Sequence, residues 1–194
     1  MAKGNGIQRT KVTTGKVRLS YAHLFAPYSN REDIDPKYST ALLVPKTDKA
    51  TVAALKRAEK NAIEDGISRN LFTAKDVKLG KIKSIIHDGD LEQDLEENPE
   101  YEGCLYLTVS SRTKPGIVDR NLDPIIDSTE LYSGAYVRVS LNAFPYSVQG
   151  SKGVSFGLNN VQKLADGEPL GGRTRAEDDF DAIEDDEDED DELL

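Results

Sequence analysis

Residues Gly134–Phe144 read GAYVRVSLNAF, and their alternation decides the fold class. Ala135, Val137, Val139 and Leu141 share one parity, while Tyr136, Arg138, Ser140 and Asn142 share the other. A period of two over this length predicts a half-buried strand with its apolar residues turned toward a core. Glycines at Gly150 and Gly153 separate it from VSFGLNNVQKL (154–164), which reads as the partner strand of a hairpin. Upstream, Leu105–Ser111 sets Leu105, Leu107 and Val109 against Tyr106, Thr108 and Ser110, a third strand. Lys114-Pro115-Gly116 and Asp123-Pro124 are turns between these strands.

Toward the N-terminus, KVRLSYAHLF (16–25) alternates Val17, Leu19, Tyr21, His23 and Phe25 against Arg18, Ser20 and Ala22. That parity assigns Tyr21 and Phe25 to the core. A polar loop lies between Pro27 and Pro36, and KYSTALLV (37–44) is a further strand ended by Pro45. One helix stands out. Thr47 or Asp48 can cap it, Val52, Leu55, Ala58, Ala62 and Ile63 recur at helical spacing, and Gly66 offers a stop. Residues 67–103 carry little pattern beyond a turn-like HDGD at 87–90 and an acidic loop. Short strands around a single helix suggest a mainly β fold, an OB-type small β-barrel, with a β-sandwich as the alternative.

Charge is distributed unevenly along the 194 residues. The formal net charge is −10, yet Glu177–Leu194 holds thirteen acids and no base. The remainder, Met1–Ala176, has 25 basic against 22 acidic residues, a formal +3. A mildly basic body therefore carries an acidic tail. The expected organisation is one domain over 1–172, with 1–8 a disordered start, and a linker with disordered acidic tail over 173–194. A single cysteine, Cys104, excludes an intramolecular disulfide, and two histidines are too few for a Cys/His zinc site. No apolar run approaches the roughly 20 residues that span a bilayer. A soluble cytoplasmic protein with no cofactor and no bound metal is the expectation.

Nucleophile, phosphate-loop, dinucleotide and zinc-protease motifs are absent from the sequence. Asp88, Asp90 and Glu92 form the sole carboxylate cluster suited to a hard cation, which would suggest a metal-dependent nuclease. Asp and Gly are also ordinary turn formers, so a solvated turn explains them as well. A third reading is an acidic interaction protein acting through its tail. The pairing of rings with cations favours a fourth. Sequence-tolerant capture of single strands needs cations for phosphates and flat rings for bases. Arg18, Lys37, Tyr106, Arg112, Lys114, Tyr136 and Arg138 supply both, and Tyr146 and Lys152 lie in or beside the hairpin.

The blocks KYSTALLVPKTD (37–48), HDGD with PEYEG, SGAYVRVSLNAFPY (133–146) and KGVSFGLNNVQKLADGEPLGG (152–172) resemble, in order, a phage-encoded family of single-stranded-DNA-binding proteins. The resemblance covers most of residues 10–180. It implies an OB-fold core, sequence-independent binding of single-stranded DNA, and a part in phage replication, recombination or repair inside an infected bacterium. It transfers no catalytic residues. Gly134, Tyr136, Arg138, Tyr146, Lys152 and Gly153 match its two specific blocks, with Tyr132 just ahead. Read from its own residues, the acidic tail would compete with DNA for a basic groove, or recruit replication or recombination proteins with Phe180, Ile183, Leu193 and Leu194 as the apolar grip. The oligomeric state stays open, a homodimer included.

Overall fold

A computed structural model describes residues 9–171. The start 1–8 and the tail with Phe180, Leu193 and Leu194 lie outside the described residues. Among the described residues there are eight strands: β1 Lys11–Thr13, β2 Val17–Tyr28, β3 Lys37–Pro45, β4 His87–Asp88, β5 Cys104–Ser111, β6 Gly116–Val118, β7 Tyr136–Val148 and β8 Ser151–Ala165. The helices are α1 Lys49–Ser68, α2 Ala74–Lys78 and α3 Gly89–Glu92, with a 3₁₀ turn at Pro99–Tyr101.

The alternation that predicts β7 is realised. Val137, Val139, Leu141 and Ala143 are buried in the core, while Arg138 and Phe144 are exposed. The strand runs beyond Phe144 to Val148 and pairs along its length with β8, from Tyr136↔Ala165 to Val148↔Ser151. Gln149 and Gly150 close this hairpin with φ of 48° and 81°, and a two-residue turn with both φ positive matches the twist of its strands. Pro145 is tolerated because β1 and β2 pair β7 only between Tyr136 and Asn142, so its missing N–H interrupts no second ladder.

The expected small OB-type barrel is corrected to an eight-stranded sheet of order β1-β7-β2-β3-β5-β8-β6, with β4 pairing β5 off the path. The β7–β8 ladder curls the sheet back on itself. Regular closure would need continuous ladders all round, whereas β5 meets β8 in one parallel pair, Ser110↔Gly157. β2 meets β7 in only two pairs, Val17↔Val137 and Arg18↔Tyr136. Mainly β with one long helix stands; the regular barrel does not.

Helix α1 buries Leu55, Ala58 and Ala62 and packs against β7, β1 and β8. Asp48 caps it, accepting from the Thr51 N–H. Gly66 does not stop it. A Cβ there would lie 2.2 Å from the Phe72 ring, so glycine makes room for Phe72. The stop is Asn70, left-handed at φ 58°, with Asn70 N–H bonded to Ile67 O and Leu71 N–H to Gly66 O. Those two bonds are a Schellman closure. No described helix is long and apolar enough to cross a membrane.

A second correction concerns β2. Tyr21 has φ 47°, and the β2–β3 register slips between Ser20 and His23. A bulge of this kind inverts the faces of the residues just after it, until a second irregularity between His23 and Tyr28; Phe25 still packs against the core, partly buried. Leu24 therefore enters the core in place of His23, and Tyr21 is 68% exposed.

Candidate nucleic-acid interface

Strand β3 sits between β2 and β5 and presents two different faces. Leu42 and Val44 join the central core, whereas Ala41 and Leu43 are buried outside it, on the opposite face. Register builds that second face row by row. Ser39 lies between His23 and Ser110, Ala41 between Ser20 and Thr108, and Leu43 between Arg18 and Tyr106. Arg18 in turn pairs with Tyr136. Lys37 and Arg112 adjoin the last β3–β5 pair, Tyr38↔Ser111.

Two hollows occupy this face. The larger, about 350 Å³, is lined by Tyr21, His23, Tyr28, Lys37, Ser39, Thr108 and Ser110 among others. His23 and Tyr28 are stacked with centroids 4.2 Å apart and planes 12° from parallel. Tyr28 is 51% exposed, so the stack and Tyr21 offer open ring surface. At the same end of the sheet, the Lys114 ammonium lies 5.6 Å from the Phe25 ring. Lys37, Arg112 and Lys114 form no ion pair among the described residues.

The smaller hollow, about 250 Å³, gathers Lys16, Arg18, Leu43, Pro45, Glu100, Cys104 and Tyr136. Lys16 Nζ stands 4.6 Å above the Tyr136 ring and the Arg18 guanidinium 5.5 Å from it. Each cation is attracted to the ring's quadrupole, which gathers two like charges at one residue. Arg18 is further fixed by donating from Nε to Gly134 O at 3.0 Å and from Nη2 to Glu168 O at 2.6 Å.

Tyr101 separates the hollows. It is 4% exposed and packs edge-on against Tyr106 at 5.0 Å, with its hydroxyl toward Ser20. Burial pushes its phenol above the ordinary range. Tyr106 stacks on His87 at 5.2 Å and accepts from Gln93 Nε2 at 2.8 Å, so its ring is enclosed.

The carboxylates considered for a metal are already engaged. Lys46 Nζ reaches Asp88 Oδ1 at 2.5 Å and Asp90 Oδ2 at 2.6 Å. Those bonds raise the Lys46 ammonium above its ordinary value, and the same lysine lowers Asp90. Glu92 meets His87 Nδ1 at 2.7 Å. Among the described residues, no cluster of three or more His, Cys, Asp or Glu is arranged to hold a metal.

The remaining sequence candidates lie elsewhere. Arg138 donates from Nε to Thr14 O at 3.3 Å and borders a separate hollow with Leu122 and Gln162. Lys152 is bound to Asp76 at 2.9 Å, and the Tyr146 ring closes over Gly153. Tyr132 donates its hydroxyl proton toward Gly167 O or Asp166 and packs against the core. The fold thus brings Arg18, Lys37, Tyr106 and Tyr136 to one face, sets Arg112 and Lys114 near its Tyr28 end, and places Tyr132, Arg138, Tyr146 and Lys152 away from its two hollows. Sequence reading missed Tyr21, His23, Tyr28 and Lys16 as members. Simple alternation hid Tyr21 because it carries no sign of the bulge; Tyr28, beside a Pro-bracketed polar loop, was the one legible hint.

A family model described as the Enterobacter phage Enc34 ssDNA-binding protein matches residues 10–194. Protein p50 of Acyrthosiphon pisum secondary endosymbiont phage 1 is 29% identical over 182 residues, 89% of this chain and 94% of that one. The bacteriophage Enc34 single-stranded DNA-binding protein, in a C-terminal truncation, superposes with TM-score 0.67 at 25% identity over 87% of this chain and 95% of that one. The structure of that protein in complex with ssDNA gives TM-score 0.63 at 28% identity, over 88% and 97%. The bacteriophage T7 gp2.5 structure shares the fold, with TM-score 0.56 at 15% identity over 91% and 96%.

Proposed function

The chain belongs to the phage family typified by the Enc34 single-stranded-DNA-binding protein, and from that premise we propose that it grips single-stranded DNA on the outer β2–β3–β5 face. Its work is binding rather than catalysis, within phage DNA metabolism. Tyr21, Tyr28 and His23 stack on bases at one end, and Lys16 and Arg18 meet phosphates beside Tyr136 at the other. Lys37, Arg112 and Lys114 line the backbone's path. Ring stacking is indifferent to base identity, which suits a protein without sequence preference.

One observation carries this assignment. The same face bears exposed, stacked rings and cations that form no ion pair among the described residues. Fluorescence anisotropy with a labelled oligonucleotide tests it. The protein should prefer a single strand to its duplex, and Tyr28→Ala with Lys37→Ala should weaken binding about tenfold. An unchanged affinity in the folded double variant rejects the face.

The tail Glu177–Leu194 completes the proposal. Its thirteen acids compete with DNA for the basic face, and Phe180, Leu193 and Leu194 offer replication or recombination proteins an apolar grip. This would take place in the cytoplasm of an infected bacterium. Deleting the tail should tighten DNA binding at low salt and leave it unaltered at high salt; the reverse trend removes the competition.

A further inference from the structure

Residues 88–102 lie against the interface and carry eight acids with no lysine or arginine. They divide into two groups. Asp88 and Asp90 are held by Lys46, Glu92 by His87, and Asp94 accepts from the Glu96 N–H, so these acids serve the segment's own architecture. The side chains of Glu96, Glu97, Glu100 and Glu102 join no ion pair or hydrogen bond among the described residues. Glu100 and Glu102 flank Tyr101, the ring buried at the middle of the face, and Glu100 shares the smaller hollow with Lys16, Arg18 and Tyr136.

The anchoring is thorough. Gly103 N–H donates to Asp90 Oδ1 at 2.8 Å, Lys46 N–H donates to Gly103 O at 2.9 Å, and a Cβ on Gly89 would lie 2.3 Å from Tyr101 O. The charges are therefore a fixed feature of the surface. Ser39, in the larger hollow, and Leu43, in the smaller, are four residues apart on β3, about 13 Å. A strand of about four nucleotides or more can reach both. Glu100 lines the smaller hollow, so a phosphate entering it comes within one screening length of that carboxylate, about 10 Å at 0.1 M salt.

We propose that this acidic segment is a phosphate-repelling divider, splitting the interface into two base-binding subsites and fixing where along the sheet a bound backbone can lie. The inference rests on the assignment of the β2–β3–β5 face to single-stranded DNA. Tyr101 fills the centre sterically, and the glutamates beside it push phosphates outward to the cations at the rims. Bases then face the rings and the sugar–phosphate chain bows around the middle. The segment thus sets a specificity for backbone path rather than for base.

Full-length Glu100→Gln/Glu102→Gln is compared with Glu59→Gln/Glu64→Gln, an equal change of charge on α1, whose helix packs against β7, β1 and β8. Anisotropy with an oligothymidylate of about 12 nucleotides at about 0.02 M salt is the readout. The first variant should bind about two- to fivefold tighter, with the gain vanishing near 0.5 M salt and exceeding that of the α1 control. No gain, or a gain equalled by the control, overturns the divider while leaving the parent's binding intact. A parent protein that binds no single strand overturns the functional assignment, and the divider with it.

Discussion

The outer β2–β3–β5 face and the far end of the β7–β8 hairpin look alike in sequence, each with tyrosines next to lysine or arginine. They differ in what surrounds the cations. On the face, Lys37 and Arg112 form no ion pair among the described residues, and Lys16 and Arg18 both approach the Tyr136 ring. At the hairpin, the Lys152 charge is committed to Asp76 and Tyr146 is folded over Gly153. A ring beside a cation becomes a docking surface only where the fold leaves that cation uncompensated. Partners distant in sequence decide this, such as Asp76 for a lysine 76 positions later.

The strongest way to break the comparison is to remove rings from both regions. Tyr21→Ala/Tyr28→Ala should weaken single-strand binding about thirtyfold or more, from two stacked bases each worth roughly 1–3 kcal/mol. Tyr146→Ala should stay within about twofold in the same anisotropy assay. Equal losses would erase the distinction.

Salt dependence sharpens it with a smaller effect. Each cation meeting a phosphate contributes about 0.7 to the slope of log affinity against log salt for single strands. Lys16→Ala/Lys37→Ala should flatten that slope by about 1.4, whereas Lys152→Ala should leave it unchanged. A flattening by Lys152→Ala would place the hairpin in the interface.

The smallest effect concerns stability. The Lys152 ammonium, with help from Thr73, holds the Asp76 carboxyl well below the usual carboxylate range. A carboxyl depressed in the folded state contributes stability above its unfolded pKa, near 4, and loses it as pH falls further. Melting temperature should therefore fall as pH drops below about 4, and Asp76→Asn should flatten that acid limb. Single-strand affinity at neutral pH should not change in this variant. An unaltered acid limb would show that the pair contributes nothing to the fold.

The strand elements were legible because β7 and β5 obey a plain period of two, and α1 shows its apolar stripe and its Asp48 cap. Three features were not. The bulge at Tyr21 depends on one positive φ in an ordinary tyrosine, which reverses the parity from Ala22 to Leu24. Gly66 resembles a terminator until Phe72 is seen packed against it. Sheet curvature depends on ladders between β5 and β8, and between β2 and β7, which neither strand's own sequence specifies. Of the candidate site, Arg18, Lys37, Arg112, Lys114 and Tyr136 could be read from strand parity and local charge. Tyr101 could not, because its place on the face is set by the Lys46 clasp and the close approach of Gly89, both non-local.

Arg18 holds Gly134 O and Glu168 O, Leu170 N–H bonds Ser133 O, and Tyr132 meets Gly167. These stitches sew the last described residues to the margin of the Tyr136 hollow. The remaining chain thus departs beside the Tyr136 end of the proposed polynucleotide track and not from the molecule's opposite pole. Lengthening the leash between that knot and Glu177 would dilute the acids' local presence while leaving their number untouched.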